Sequence, residues 1–336
     1  MTGNPQSTFE LKSFEIDITK SGPTPYPVAF TSQNDFALFV RELARKVNSS
    51  NSTRNYLFQK PSAIKLLIEE IVNSGFLTKN IAEIANCLFN AEVKFSERYK
   101  VSEIKQGNLL ISRFNIGNDD LLLIAKVDFE SFFEKGNFKK VEGLPTEKGL
   151  LKSALFKIEN GKLPQLFKVA DSNGAISKFW SDEFLNASPY KSDNENTINA
   201  YALITKSINK TLKDSTVDKI AIINSVISYF NTKSQFDAGS FVKDVIGTYT
   251  CEGNTPIIDV ISAIENVFKT NKFDGNFTIV SSEVKSKMKK TYKLEDDISI
   301  VTNQGTKNRI YSKNLSGTKY VLIQSDTGYE QFPELK

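Results

Sequence analysis

Two spacings of apolar residues divide this 336-residue chain. Between Asn108 and Leu185 the apolar residues come in short, β-rich blocks bounded by turn residues, which predicts strands over Leu109–Phe114, Leu121–Phe129, Lys152–Ile158 and Leu166–Asp171. The first two are joined by IGNDD, a hairpin connection, and the last two by a turn around ENGKLP. The stretch EKGNFKKVEGLPTEKG between the pairs reads as a loop with a short helix at most. SNGAISKFWSDEFL then reads as a helix that buries Ile176, Phe179, Trp180 and Phe184. Upstream, FELKSFEIDIT (9–19) alternates as a first strand, and the prolines of SGPTPYP end it. Three helices are expected next. One carries Phe36, Phe39, Val40, Leu43 and Val47 on one face, and the polar run 48–55 closes it as a loop. The second starts near Pro61, buries Ile64, Leu67, Ile68 and Ile71, and stops at Gly75. The third runs from Thr78 towards Tyr99 through Ile81, Ile84, Ala85 and Leu88.

Past Leu185 the spacing becomes helical. NASPYKSDNENT (186–197) is polar and carries Pro189, a boundary signal. Helices follow over Ile198–Leu212, Val217–Phe230 and Phe241–Ile246, and another opens at Pro256. Residues 279–290 read as helix in preference to strand. DISIVT, KNRIYSK and TKYVLIQS then read as three short strands forming a meander. The expected architecture is α+β. A domain over residues 1–190 has an antiparallel sheet with helices packed on one face. A mostly helical domain over 191–336 ends in a small antiparallel sheet.

Composition and charge narrow the function classes. The chain has no histidine, which removes Ser–His and Cys–His catalysis and histidine-ligated zinc. Chemistry built on carboxylates, lysines or carboxylate-bound magnesium stays open. Cys87 and Cys251 are far apart and in no metal-ligand spacing, as expected of two buried thiols in a reducing cytosol. MTGNPQSTFELKSF has no signal-peptide pattern, and no apolar run is long enough for a membrane span, so the expectation is a cytoplasmic protein that does not enter membranes. The net charge of +4 is too small for binding driven by global positive charge. Any nucleic-acid contact has to be local.

The local excess lies between Lys285 and Lys319. Lys285, Lys287, Lys289, Lys290, Lys293, Lys307, Arg309, Lys313 and Lys319 face only Glu295, Asp296 and Asp297 in this stretch, with Tyr292, Tyr311 and Tyr320 interleaved. Lysines there would neutralise phosphates; the plain alternative is a solvated face. A second basic group, Lys135, Lys139, Lys140, Lys148 and Lys152, lies in and after the central loop. Asp274 followed by Glu283-Val284-Lys285 has the residue order of a magnesium-dependent nuclease, but the triplet is common and SSEVKSKMKK is too polar for the core strand that such chemistry needs. There is no phosphate-binding glycine loop, no nucleophile elbow and no zinc finger. No cofactor is implied.

LLLIAKVDFESFFE (121–134), EGLPTEKGLLKSALFKI (142–158) and the block from Phe167 through Asp171, Trp180 and Phe184-Leu185 to Thr197 occur in the order and spacing of one family. The C-terminal DISIVTNQGTKNRIYSKNLSGTKYVLIQ continues the match. The chain thus resembles the bacterial nucleoid-associated proteins of the YejK/NdpA type, over most of its length and most weakly in the N-terminal third. The resemblance implies a non-catalytic, dimeric cytoplasmic protein of the nucleoid that binds DNA with little sequence preference. The contact residues expected are those of the Lys285–Lys319 segment, with Lys139, Lys140 and Lys152 as second choices. Near-neutral charge and a phenylalanine-rich composition leave two alternatives: a protein-interaction component of a phage-defence or mobile-element system, and a metal-dependent nuclease.

Overall fold

The computed structural model describes residues 9–26, 33–49, 53–76, 78–100, 107–127, 130–133, 135–143, 150–172, 175–285, 289–295, 297–303 and 309–334. The protein is a mixed α/β structure with a large antiparallel sheet. Its chain forms two compact units. The first comprises Met1–Asn196, Gln235–Phe241 and Phe268–Thr278; the second comprises Thr197–Ser234, Val242–Val267 and Ile279–Lys336. The first unit therefore takes back two segments from beyond residue 190. The first break between the units falls at Asn196, within the 186–197 boundary stretch, whose Ala187–Pro189 is a strand of the main sheet.

In chain order the first unit contains β1 (Phe9–Ile16), β2 (Thr24–Pro25), α1 (Gln33–Ser49), β3 (Arg54–Phe58), α2 (Ala63–Ser74) and α3 (Thr78–Tyr99). There follow β4 (Gly107–Ile116), β5 (Asp119–Val127), β6 (Glu130–Phe133), β7 (Lys140–Gly143), β8 (Leu150–Ile158), β9 (Leu166–Asp171) and β10 (Ala187–Pro189). Eight of these strands form one sheet in the order β10-β3-β9-β8-β5-β4-β1-β2. The two outermost strands are short and carry Pro25 and Pro189, which leave few free backbone groups for pairing with another chain. The strand β3 lies inside residues 48–55 at its start, where a loop is expected. Its polar opening hides it, because Arg54 is buried only by virtue of its partners: it donates to the Lys191 carbonyl at 2.8 Å and pairs with Asp193 at 2.8 Å.

The expectation that helices cover one face of the sheet is wrong. On one face α2 and α3 pack Ile64, Ile68, Ile71, Ile81, Ile84 and Leu88 against Leu109, Ile111, Leu122, Ile124, Phe156 and Phe167. On the other, α1 packs Val40, Leu43, Ala44 and Val47 against Leu110, Phe114, Leu121, Leu123 and Leu155. Side chains alternate across a strand, so β5, with Leu121 to Ala125 all buried, needs apolar cover on both sides. Ser62 caps α2 by accepting the Lys65 N–H, and Gly75 closes it at a φ of 82°. The expected helix at Phe179–Phe184 is a single wide turn in which the Leu185 N–H donates to the Trp180 carbonyl five residues back. It buries Phe179, Trp180 and Phe184.

At one end of the sheet the core turns ionic. Lys126 on β5 is directly opposite Lys152 on β8, which is opposite Asp171 on β9. Two adjacent buried lysines repel unless each is neutralised. Lys126 donates to Glu92 of α3 at 2.7 Å, and Lys152 to Asp171 at 2.9 Å. Lys152 also lies over the Phe179 ring, 5.2 Å from its centroid. All four side chains are almost completely buried.

Two later segments complete this unit. They carry β11 (Gln235–Asp237) and β12 (Asn276–Thr278), which pair with each other, and Phe236 stacks on Phe277 at 4.6 Å. Asp274 ties them down. It accepts from the Asn55 backbone and side chain at 3.2 and 3.0 Å and from the Asn196 amide at 3.0 Å, and its backbone N–H donates to Asn196.

Removing one charge of the buried row should cost far more than removing a pair. Glu92→Ala leaves Lys126 buried without its carboxylate and should lower unfolding free energy by about 3–5 kcal/mol. Glu92→Leu combined with Lys126→Met should recover most of that loss. Urea denaturation of the three proteins checks this, and equal losses in the single and double variants would contradict it.

Candidate nucleic-acid interface

The second unit is built on helices: the main part of α4 (Asp193–Thr211), all of α5 (Thr216–Thr232), the end of α6 (Ala238–Val245) and most of α7 (Ile257–Phe268). Ile204, Ile208, Ile222, Val226, Val260 and Ile264 are buried, and Tyr201 meets Phe230 edge-on at 5.5 Å. One carboxylate organises the loops. Asp218, in the first turn of α5, accepts from the Ser215 hydroxyl (2.5 Å), the Tyr249 hydroxyl (2.7 Å) and the backbone N–H groups of Glu252 (2.8 Å) and Gly253 (3.0 Å). The Ser215 bond, ahead of the others, holds the Asp218 carboxyl well below the usual carboxylate range. Desolvation, and then its bond to this carboxylate, push the Tyr249 phenol up to about 12. A side chain at Gly253 would sit 3.0 Å from both the Asp218 carboxylate and the Ser215 hydroxyl, so glycine permits the loop's close approach.

Beyond this bundle the structure departs from the expected helix-then-meander. Residues 282–285 make one helical turn, α8 (Ser282–Lys285), and Lys289–Lys293 is a strand, β13. It pairs with β14 (Ser299–Asn303). A second pair joins β15 (Ile310–Leu315) to β16 (Thr318–Ile323), followed by the short helix α9 (Asp326–Tyr329). These are two separate hairpins instead of one meander.

Of the nine basic residues expected here, those that are described are dispersed over several elements. Lys285 ends α8 and is exposed. Lys289, Lys290 and Lys293 lie on β13. Arg309 precedes β15, and Lys313 and Lys319 are exposed on β15 and β16. Lys287 and Lys307 lie outside the described residues. Lys313 pairs in register with Tyr320, and Lys319 with Asn314, so the two lysines occupy opposite faces of their hairpin. One face therefore carries Tyr311, Lys313, Leu315, Tyr320 and Leu322. The other carries Ile310, Ser312, Asn314, Lys319, Val321 and Ile323. The period of two within these expected strands carries the grouping, once the register of the pair is known.

The second-choice lysines separate. Lys139 and Lys140 are exposed at the end of the β6–β7 hairpin, where a loop is expected. Phe133 and Phe138 on the same hairpin are 68% and 79% exposed. Lys152 has to be withdrawn as a phosphate contact, because it is buried in the ionic row and paired with Asp171. The nuclease arrangement also lacks its support. Glu283 and Lys285 stand on α8, not on a core strand, and Asp274 has both carboxylate oxygens engaged by Asn55 and Asn196. Among the described residues no group of three or more histidine, cysteine or acidic side chains is placed to hold a metal ion. No described helix is long and apolar enough to cross a membrane. No protein-family model matches the chain, and no curated protein matches it.

The Asp218 staple has a defined pH signature. A carboxyl with a lowered folded pKa contributes stability that is complete above its unfolded value of about 4 and is lost as pH falls through the folded value. Asp218→Asn should therefore lower the urea midpoint at neutral pH. The gap between variant and parent should narrow progressively below about pH 4. A gap that is independent of pH would show that the carboxylate charge is not what holds the loops.

Proposed function

We propose that the protein is a non-catalytic DNA-binding protein of the bacterial nucleoid, of the YejK/NdpA type, that binds duplex DNA through phosphate contacts with little sequence preference and acts as a homodimer in the cytoplasm. In this reading the chain joins an α+β body to a mostly helical part whose terminal strands carry the contacts. One observation carries it. From Ile298 to Ser325 the chain contains Lys307, Arg309, Lys313 and Lys319 and no acidic residue, and the described basic side chains of this tract are exposed. A polyanion meets there a stretch of chain without like charge, on an otherwise near-neutral protein. Lys289, Lys290 and Lys293 on β13 extend the basic supply, and Lys139 and Lys140 offer a secondary contact.

A second reading, a protein-interaction component of a phage-defence or mobile-element system, draws on a different observation. Phe133 and Phe138 stand largely exposed on the β6–β7 hairpin, and two such rings together resemble a docking point more than a solvated loop.

Two measurements separate these readings. Mobility shifts at low salt should show duplex binding that does not depend on sequence, with affinity falling steeply as salt rises. Lys287, Lys289 and Lys290 changed together to Glu should weaken binding and flatten the salt dependence, by a log–log slope of about 0.9 for each phosphate no longer neutralised. No shift at low salt, or an unaltered one in the triple variant, would refute the phosphate-contact mechanism. Affinity capture after nuclease treatment tests the other reading: a DNA-independent partner that no longer binds Phe133→Ser/Phe138→Ser would support it, and recovery of DNA alone would count against it.

A further inference from the structure

The two faces of the β15–β16 hairpin differ. Val321 and Ile323 on one face line a groove together with Tyr329, Phe332 and Pro333, so the C-terminal turn covers part of it. The opposite face carries both tyrosines of the hairpin. There Tyr311 is 51% exposed, Leu322 42% and Leu315 39%, with Tyr320 half-buried and Lys313 exposed between them. Lys313 is the direct cross-strand partner of Tyr320, and Tyr311 of Leu322, which sets the two tyrosines as diagonal neighbours on one face. The turn that holds this register is Ser316–Gly317, both at positive φ (48° and 92°), and the Gly317 N–H donates to the Asn314 side chain at 3.1 Å. The ladder continues past the strands, since the Gln324 N–H donates to the Arg309 carbonyl at 2.7 Å.

The chemistry of this face has two parts that ask for different things. Lys313 and Arg309, in a tract without acids, suit a polyanion. Exposed tyrosine rings and leucines contribute nothing to a phosphate backbone, and a duplex keeps its base faces stacked inside. A single strand offers both a backbone charge and unpaired π-faces. We propose that the Tyr311–Lys313–Tyr320–Leu322 face is a stacking platform for single-stranded nucleic acid, with bases on Tyr311 and Tyr320 and phosphates on Lys313 and Arg309. The proposal rests on the nucleic-acid reading above and adds a strand preference and a second contact mode to it.

Fluorescence anisotropy on the full chain tests it, with labelled oligo-dT, oligo-rU and a mixed-sequence duplex. The parent should bind the single strands. Tyr311→Ala with Tyr320→Ala should weaken single-strand binding by about tenfold or more while leaving duplex binding unchanged. Tyr311→Phe with Tyr320→Phe keeps both rings, and so should restore the affinity; this also controls for loss of the hairpin. Comparing oligo-dT with oligo-rU shows whether DNA or RNA is the preferred source. Duplex binding that persists while single strands bind no more weakly without the rings overturns this proposal alone. Failure to bind any of the three probes overturns the nucleic-acid reading with it. If the Ala pair instead abolishes a dimer seen by sedimentation and leaves oligonucleotide binding unaltered, the face is covered by a second copy of the chain, and the proposal is wrong.

Discussion

The first unit depends on a central strand that is buried on both faces. From Leu121 to Val127 every residue of β5 is buried, so neither face of the sheet can be left to solvent. Two helices close one side and α1 closes the other. That burial accounts for the reach of the chain as well. Fully burying each Leu or Ile side chain is worth about 1.5–3 kcal/mol, enough in sum to order a sheet whose outer strands are only two and three residues long. The same constraint makes Lys126 costly. It lies on β5 opposite a second lysine, and Glu92 and Asp171 are the groups that make the row tolerable.

This casts the motif blocks in a different light. Lys126, Lys152, Asp171, Trp180 and Phe184 are among the positions on which the resemblance to the nucleoid-associated proteins rests, and these five are interior. They are a signature of how the sheet end is closed: paired charges at one level, aromatic rings beside them. Such a signature constrains fold. The surface proposed to meet nucleic acid lies elsewhere in the chain, on the largely exposed β15–β16 hairpin.

The second unit shows the opposite economy. Its helical part is held by apolar packing and by one carboxylate with four donors. Its β15–β16 hairpin buries little, and every side chain from Tyr311 to Lys319 is exposed. A lone two-stranded hairpin is marginal in water, and its exposed rings and leucines are the surface that we propose meets another molecule. The lysine content suggests what that is, and the alternation of side chains decides which lysines can act together.

Long periodic stretches were legible from the residues alone. The helix over Thr78–Tyr99, the β4–β5 and β8–β9 pairs and the helical character after residue 197 follow from apolar spacing, because each buries one continuous stripe. The acid-free basic tract is likewise visible in the order of residues. What tertiary structure alone decided is every feature that depends on partners distant in sequence. The strand at Arg54–Phe58 looks like loop because its arginine is neutralised by Asp193, far along the chain. Asp274 has the look of a catalytic acid until Asn55 and Asn196 are seen to occupy its oxygens. Lys152 counts as one more surface lysine until β9 brings Asp171 beside it. Local spacing reports what a residue's neighbours in the chain can bury; whether a charge is free to act depends on which distant groups the fold sets against it.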